Sequence, residues 1–119
     1  MDTNLFTQKV NKELKDFLSS PLKNQWLDFD ECHIYVRKSQ RLLDRSFYSC
    51  LDLASIEINA SLRRQGLFKL ILNIFCQTNP LPMLLIENVL NPHLYDYLSK
   101  QSNIKRLSDT SFYILKDKE

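Results

Sequence analysis

The 119-residue chain contains a single glycine, Gly66, placed where two apolar runs of opposite character meet. Upstream, "FYSCLDLASIEIN" (47–59) has strand character and reads as a long strand, with Ile56 and Ile58 setting its inward side near the end. Downstream, "LFKLILNIFCQ" (67–77) is apolar nearly all round, so it reads as a helix buried on most of its surface. A strand that feeds a helix through a tight turn leaves the helix's first N–H groups unpaired and aimed at one spot. With the positive end of the helix dipole, that spot favours an anion, phosphate above all. Glycine at the turn lets the backbone approach a ligand with no Cβ in the way. Arg63 and Arg64 stand just before it and suit a pyrophosphate. Two adjacent arginines also fit a plain solvated turn; the lone glycine and the buried helix behind them favour the ligand. The pattern lacks the Gly-Lys-Ser/Thr of a Walker loop and the three glycines of a dinucleotide fingerprint.

The rest of the chain supplies a frame for this junction. Residues 3–19 read as an amphipathic helix with Leu5, Phe6, Val10, Leu14, Phe17 and Leu18 near one face. Residues 22–31 read as a connection with Trp26 and Phe29 tucked under the fold. "CHIYVRKS" places a strand over 32–38, and 40–46 is a turn or the end of that hairpin. Two prolines in "TNPLP" break the helix over 67–77. "MLLIENV" (83–89) is a short apolar strand of the kind covered on both faces. Asn91 is a good N-cap and Pro92 a good first helical residue, and Leu94, Tyr95, Tyr97 and Leu98 make one face of the helix they begin. "TSFYILKDKE" ends the chain as a strand with a charged tail. Helix, strands, helix, strand, helix, strand implies a mixed α/β sheet. We expect one domain over 1–119, with an N-terminal helix over 1–20 and a sheet core over 32–115.

Charge and cysteine usage narrow the function classes. A net charge of +2 from 16 basic and 14 acidic residues argues against nucleic-acid binding by bulk electrostatics. The only noticeable basic cluster is Arg37, Lys38, Arg41 and Arg45, which could meet nucleic acid or an acidic protein. No apolar run approaches the roughly 20 residues that span a membrane, so no membrane partner is expected. The N-terminus lacks the basic-then-apolar pattern of a secretory signal. Cys32, Cys50 and Cys76 are odd in number and too far apart for a zinc knuckle or redox pair, which points to buried thiols in a reduced, cytoplasmic protein with no metal. An exposed sheet edge in so small a domain makes a homodimer plausible.

The segment "INASLRRQGLF" (58–68) resembles the acetyl-CoA loop of the GNAT N-acetyltransferase superfamily, whose signature is Arg/Gln-x-x-Gly-x-Gly/Ala. Arg63, Arg64, Gln65, Gly66, Leu67 and Phe68 fill the six places, and Ile58 is the aliphatic strand residue usual five positions earlier. Downstream, "LLIENVLNPHLYDYLSK" resembles the superfamily's next strand and helix, with Asn91 at the asparagine before the helix that lies along the coenzyme. The likeness covers about residues 32–115. It implies a mixed, mostly antiparallel sheet, splayed between its two middle strands and flanked by about three helices. It also implies acetyl-CoA as co-substrate, its pantetheine against the backbone near Ile56 and Ile58 and its pyrophosphate on the N–H groups of residues 64–68. The acetyl group would pass directly to an amine-bearing acceptor, the protein deprotonating the amine and protonating the leaving thiolate. A fold kept for binding without turnover, and a nucleic-acid-modifying relative, are the alternatives.

Three features depart from the superfamily pattern: Phe68 replaces a small residue, Leu98 stands where an acid tyrosine is usual, and Ser102 and Asn103 replace a Gly-Phe pair. Tyr97 lies one position, about 100° of helix, from the tyrosine site and is the candidate acid, Tyr95 the competitor. Asp52 and Glu57, on the strand before the loop, are the candidate general bases, or else plain outward charges. For Asp52, the neighbours Leu51 and Leu53 offer an apolar setting that would raise its pKa. His93 reads as a helix-terminal surface histidine and His33 as a strand residue at the sheet's edge.

Overall fold

The computed structural model describes residues 2–63 and 66–116. Its elements run α1 (Thr3–Ser19), β1 (Asn24–Asp28), β2 (Cys32–Leu43), β3 (Ser46–Ile58), a 3-10 turn (Ala60–Leu62), α2 (Leu67–Thr78), β4 (Met83–Ile86), α3 (Pro92–Ser99), β5 (Lys105–Ser108) and β6 (Ser111–Leu115). The strands form one six-stranded sheet in the order β1-β2-β3-β4-β6-β5. Among the described residues only β3 and β4 pair in parallel; every other neighbouring pair is antiparallel. The mixed, mostly antiparallel sheet and its three helices match the expected architecture.

Two strands lie where the sequence gives no strand signal. β1 occupies the stretch expected to be a connection, and β5 is exposed at every position. Trp26, on β1, is 45% exposed instead of tucked away, its ring 5.0 Å from that of Tyr35. Phe29 does pack inward, edge-on to Phe6. β2 runs on past residue 38 to Leu43, because residues 40–46 are the end of a hairpin. Asp44 and Arg45 both take positive φ (50° and 69°), which matches the twist of a two-residue hairpin loop.

One core dominates. Phe6, Val10, Leu14 and Phe17 of α1, Ile71 and Phe75 of α2, and Leu98 of α3 pack with Ile34, Val36, Leu51, Leu53, Leu84, Ile86 and Phe112 of the sheet. All three helices thus share a single cluster. The alternate strand residues Cys50, Met83 and Leu85 form a second, smaller cluster with Tyr48 and Tyr113 and no helix residue. Along β3 the alternation changes phase once. Tyr35 faces Ser55 and Val36 faces Leu53, so Ala54 is an extra residue, a bulge. The bulge turns Ile56 and Ile58 to the side of Leu51 and Leu53, and both pack against the main core.

The parallel seam is short. β3 and β4 pair only from Cys50–Met83 to Leu53–Ile86. One more backbone bond lies beyond it, from Glu87 N–H to the Leu53 carbonyl at 3.0 Å. Asn88 then ends the seam: it takes φ +57° and its side-chain amide donates to the Ala54 carbonyl at 2.7 Å. Asparagine tolerates this left-handed conformation better than most residues. The strand expected over 83–89 therefore stops at Ile86, and β3 continues to Ile58 with no strand on that side. This is the splay between the two middle strands.

Candidate functional site

The splay opens into a cleft of about 1130 Å³, lined among others by Ile56, Ile58, Arg63, Gly66, Asn91 and Tyr97. Its walls are the unpaired end of β3, the turn into α2, the segment after β4, and α3. Most residues singled out in the sequence thus meet around one space, although they come from four elements.

At one end sits the glycine turn. Gly66 takes φ +75°, which L-residues with a Cβ rarely adopt, and a Cβ built there would meet nothing within 4 Å. The glycine is needed for its backbone conformation, and the space in front of it is open. Among the described residues no side chain caps the N–H groups of α2, whereas the other two α-helices are capped. The Asp2 carboxylate accepts from Leu5 N–H at 3.0 Å at the head of α1, and Asn91 does the same service for α3. The exposed positive end of α2 therefore points to the cleft. Leu67 is buried and Phe68 half-buried in the core, so the bulky residue at the motif's last place packs inward while also touching the cleft wall. The Arg63 side chain donates from Nε to the Ile58 carbonyl at 3.2 Å, which ties the turn back to the strand. Arg64 and Gln65 lie outside the described residues.

On the opposite wall, α3 sorts its tyrosines. Leu98 is fully buried in the core. Tyr95 stacks edge-on against Phe112, and its hydroxyl accepts from Arg106 at 3.1 Å. Tyr97 faces the cleft, with the Lys69 ammonium 4.5 Å from its ring centroid. Asn91, which lines the cleft, accepts through Oδ1 from the N–H groups of His93 and Leu94 at 2.9 and 3.3 Å, so its cap role uses the oxygen and not the amide nitrogen. His93 is exposed at the same rim.

The two candidate carboxylates part company. Asp52 is fully buried and is not among the cleft residues. Leu51 and Leu53 point to the helices, so the expected apolar setting belongs to the other face of the strand. Asp52 instead meets Arg41 at 3.1 Å and Arg37 at 3.5 Å, and accepts from the Ser39 hydroxyl at 2.9 Å. Both guanidiniums also reach Glu87, which the sequence does not single out and which does line the cleft. Its hydrogen bond drives the Arg37 pKa upward, against the opposing cost of burial. Glu57 is exposed on the cleft wall, paired in register with His33, which lines the cleft too. The basic cluster is internally engaged. Arg37 and Arg41 hold carboxylates, and Lys38 donates to the Phe17 and Ser20 carbonyls at the end of α1, leaving Arg45 at the hairpin tip.

The three cysteines are free thiols. Burial pushes Cys32 up to about 11 and raises Cys50 and Cys76 as well, so none is a poised nucleophile. No helix among the described residues is long and apolar enough to cross a membrane.

No protein-family model matches the sequence, and no curated protein does. Solved structures do match in three dimensions. One is a mutant of the toxin AtaT bound to the C-terminus of the antitoxin AtaR and acetyl-CoA, with TM-score 0.55 at 14% identity over 71% of this chain. The match takes in 58% of that toxin's length, so this chain spans well under two thirds of it. Another is the KacTA–DNA complex, with TM-score 0.56 at 10% identity over 94% of this chain and 79% of that one. At such identities the likeness is one of architecture, and together with the splayed sheet and the glycine turn it establishes that this chain has the GNAT fold.

Proposed function

We propose that the chain is an acetyl-CoA-dependent N-acetyltransferase that moves the acetyl group directly to an amine acceptor. One observation carries this reading: a single cleft joins the start of α2, which no described side chain caps, to the flank of β3 beyond its pairing with β4. Those two features suit the two polar parts of the coenzyme. The N–H groups behind Gly66, with Arg63, would hold the pyrophosphate. The backbone near Ile56 and Ile58, free of a strand partner on that side, would pair with the pantetheine amides as a further strand does. The Asn91 amide would add a contact from α3. When bound, the coenzyme supplies an activated acetyl thioester. Holding it beside the acceptor is the larger part of the catalysis. Tyr97, on the wall facing β3, would give the leaving sulfur its proton. The acetyl-CoA present in the AtaT structure supports the choice of ligand.

Calorimetric titration with acetyl-CoA, run on the wild type and on Gly66→Asp, tests the reading. Binding by the wild type that the variant loses supports it, since a carboxylate at that turn opposes phosphate. Absence of binding to the wild type at millimolar coenzyme rejects it in favour of a GNAT fold that serves a macromolecular partner without turnover.

A further inference from the structure

The proposed transfer needs a base for the acceptor amine, and the sequence offers Asp52 and Glu57. The structure removes Asp52 to a buried site between two arginines. It also brings forward a residue that reads, in the sequence, as a mere edge histidine. We propose that His33 is the general base of this site, with Asp28 as its positioning residue; the proposal rests on the N-acetyltransferase reading above.

Three observations carry it. His33 lines the same cleft as Gly66 and Tyr97. Its Nδ1 lies 2.7 Å from Asp28 Oδ1. In the neutral imidazole, an Nδ1 hydrogen donated to this carboxylate leaves Nε2 with the lone pair that takes a proton. The strand register supplies the third. Asp28 on β1, His33 on β2 and Glu57 on β3 stand in one cross-strand row, so two carboxylates flank the imidazole and the row ends at the cleft. By alternation the row is turned away from Leu27, Ile34 and Ile56, which pack in the helix-bearing core. The described core cluster on that face contains no helix residue, and Glu57 would draw an acceptor's ammonium to the rim. Glu87, the other carboxylate on the wall, is engaged by Arg37 and Arg41.

The proton balance is simple. His33 Nε2 takes a proton from the acceptor ammonium, and the amine nitrogen then bonds to the acetyl carbon. The C–S bond breaks, its electron pair stays on sulfur, and sulfur takes a proton from Tyr97. The nitrogen loses its surplus proton to water, from which Tyr97 recovers one, and His33 returns its own to water.

The test uses acetyl-CoA with two nucleophiles, water and hydroxylamine, and follows thiol release. Water needs a base to remove its proton, whereas hydroxylamine is already unprotonated at neutral pH. We expect His33→Gln to bind acetyl-CoA as the wild type does in calorimetry and to hydrolyse it about a hundredfold more slowly. Its hydroxylaminolysis should be largely retained. Added imidazole should restore hydrolysis to His33→Ala, and Asp28→Asn should lower the turnover rate more than coenzyme affinity. Unchanged hydrolysis in His33→Gln, or equal losses with both nucleophiles, would overturn the proposal. So would a wild type that binds acetyl-CoA and passes acetyl to neither nucleophile. A wild type that binds no acetyl-CoA is a distinct result, and it removes the underlying reading together with the base.

Discussion

The ammonium of Lys69 lies 4.5 Å above the ring centroid of Tyr97, so the first turn of α2 touches the middle of α3 across the cleft. The phosphate end and the acyl end of the proposed site are thereby braced against each other. Tyr97→Phe keeps the ring under Lys69 and removes only the hydroxyl. We expect unchanged stability and coenzyme affinity, with thiol release lowered about a hundredfold. Tyr97→Ala should add a stability loss of about 1–3 kcal/mol, since it removes both the cation–ring contact and the ring's packing against the core. Urea unfolding and a thiol-release assay on both variants separate the two effects.

Gly66→Ala isolates the backbone requirement of the turn. The space around a new Cβ is open, so no clash adds to the left-handed φ. We expect a cost of about 1–2 kcal/mol in urea unfolding. A loss much above that would mean that the turn is held by contacts beyond its own dihedral angles.

Asp52 is expected to act in stability. Asp52→Asn leaves the Arg37 and Arg41 guanidiniums, themselves about a third exposed, short of one anionic partner. We expect a loss of about 1–3 kcal/mol, moderated because solvent reaches both arginines. Turnover per folded molecule should hold, since Asp52 does not line the cleft. A turnover collapse at unchanged stability would restore Asp52 as the base.

The thiols give a pH signature. Burial raises Cys32 from an ordinary value of 9.0 to about 11, and it raises Cys50 and Cys76 in the same direction. An acid whose pKa is raised on folding stabilises fully below its unfolded pKa and loses that contribution as pH climbs toward the folded one. Folding stability should therefore decline from about pH 9 to 11, and Cys32→Ala should flatten part of that decline. Unfolding midpoints measured across this range check it.

The range of each interaction decides how legible it is in the sequence. Gly66, the Asn91 cap and the apolar runs of α2 and β4 are local signals, and each lies where it is expected. β1 has one fully buried residue, Leu27, and β5 has none, so neither shows the alternation that marks a strand. That gap has a cost at the site. With residues 22–31 read as a connection, nothing brings Asp28 beside His33, and the pair across the β1–β2 turn stays invisible. Asp52 misleads for a related reason. Its chain neighbours are leucines, but a strand residue's surroundings come from the adjacent strands, here Arg37 and Arg41. The Ala54 bulge and the Asn88 wedge, which together open the cleft, depend on register and leave no composition signal.

A phosphate-bearing coenzyme is expected to sit between the start of α2 and the end of β3. Backbone amide NMR during titration with coenzyme A tests it most directly. The largest shifts should fall on Leu67, Phe68 and Lys69, with a second set at Ile56–Ile58, and Gly66→Asp should abolish both. Shifts confined to other surfaces, or none at millimolar ligand, would contradict the account.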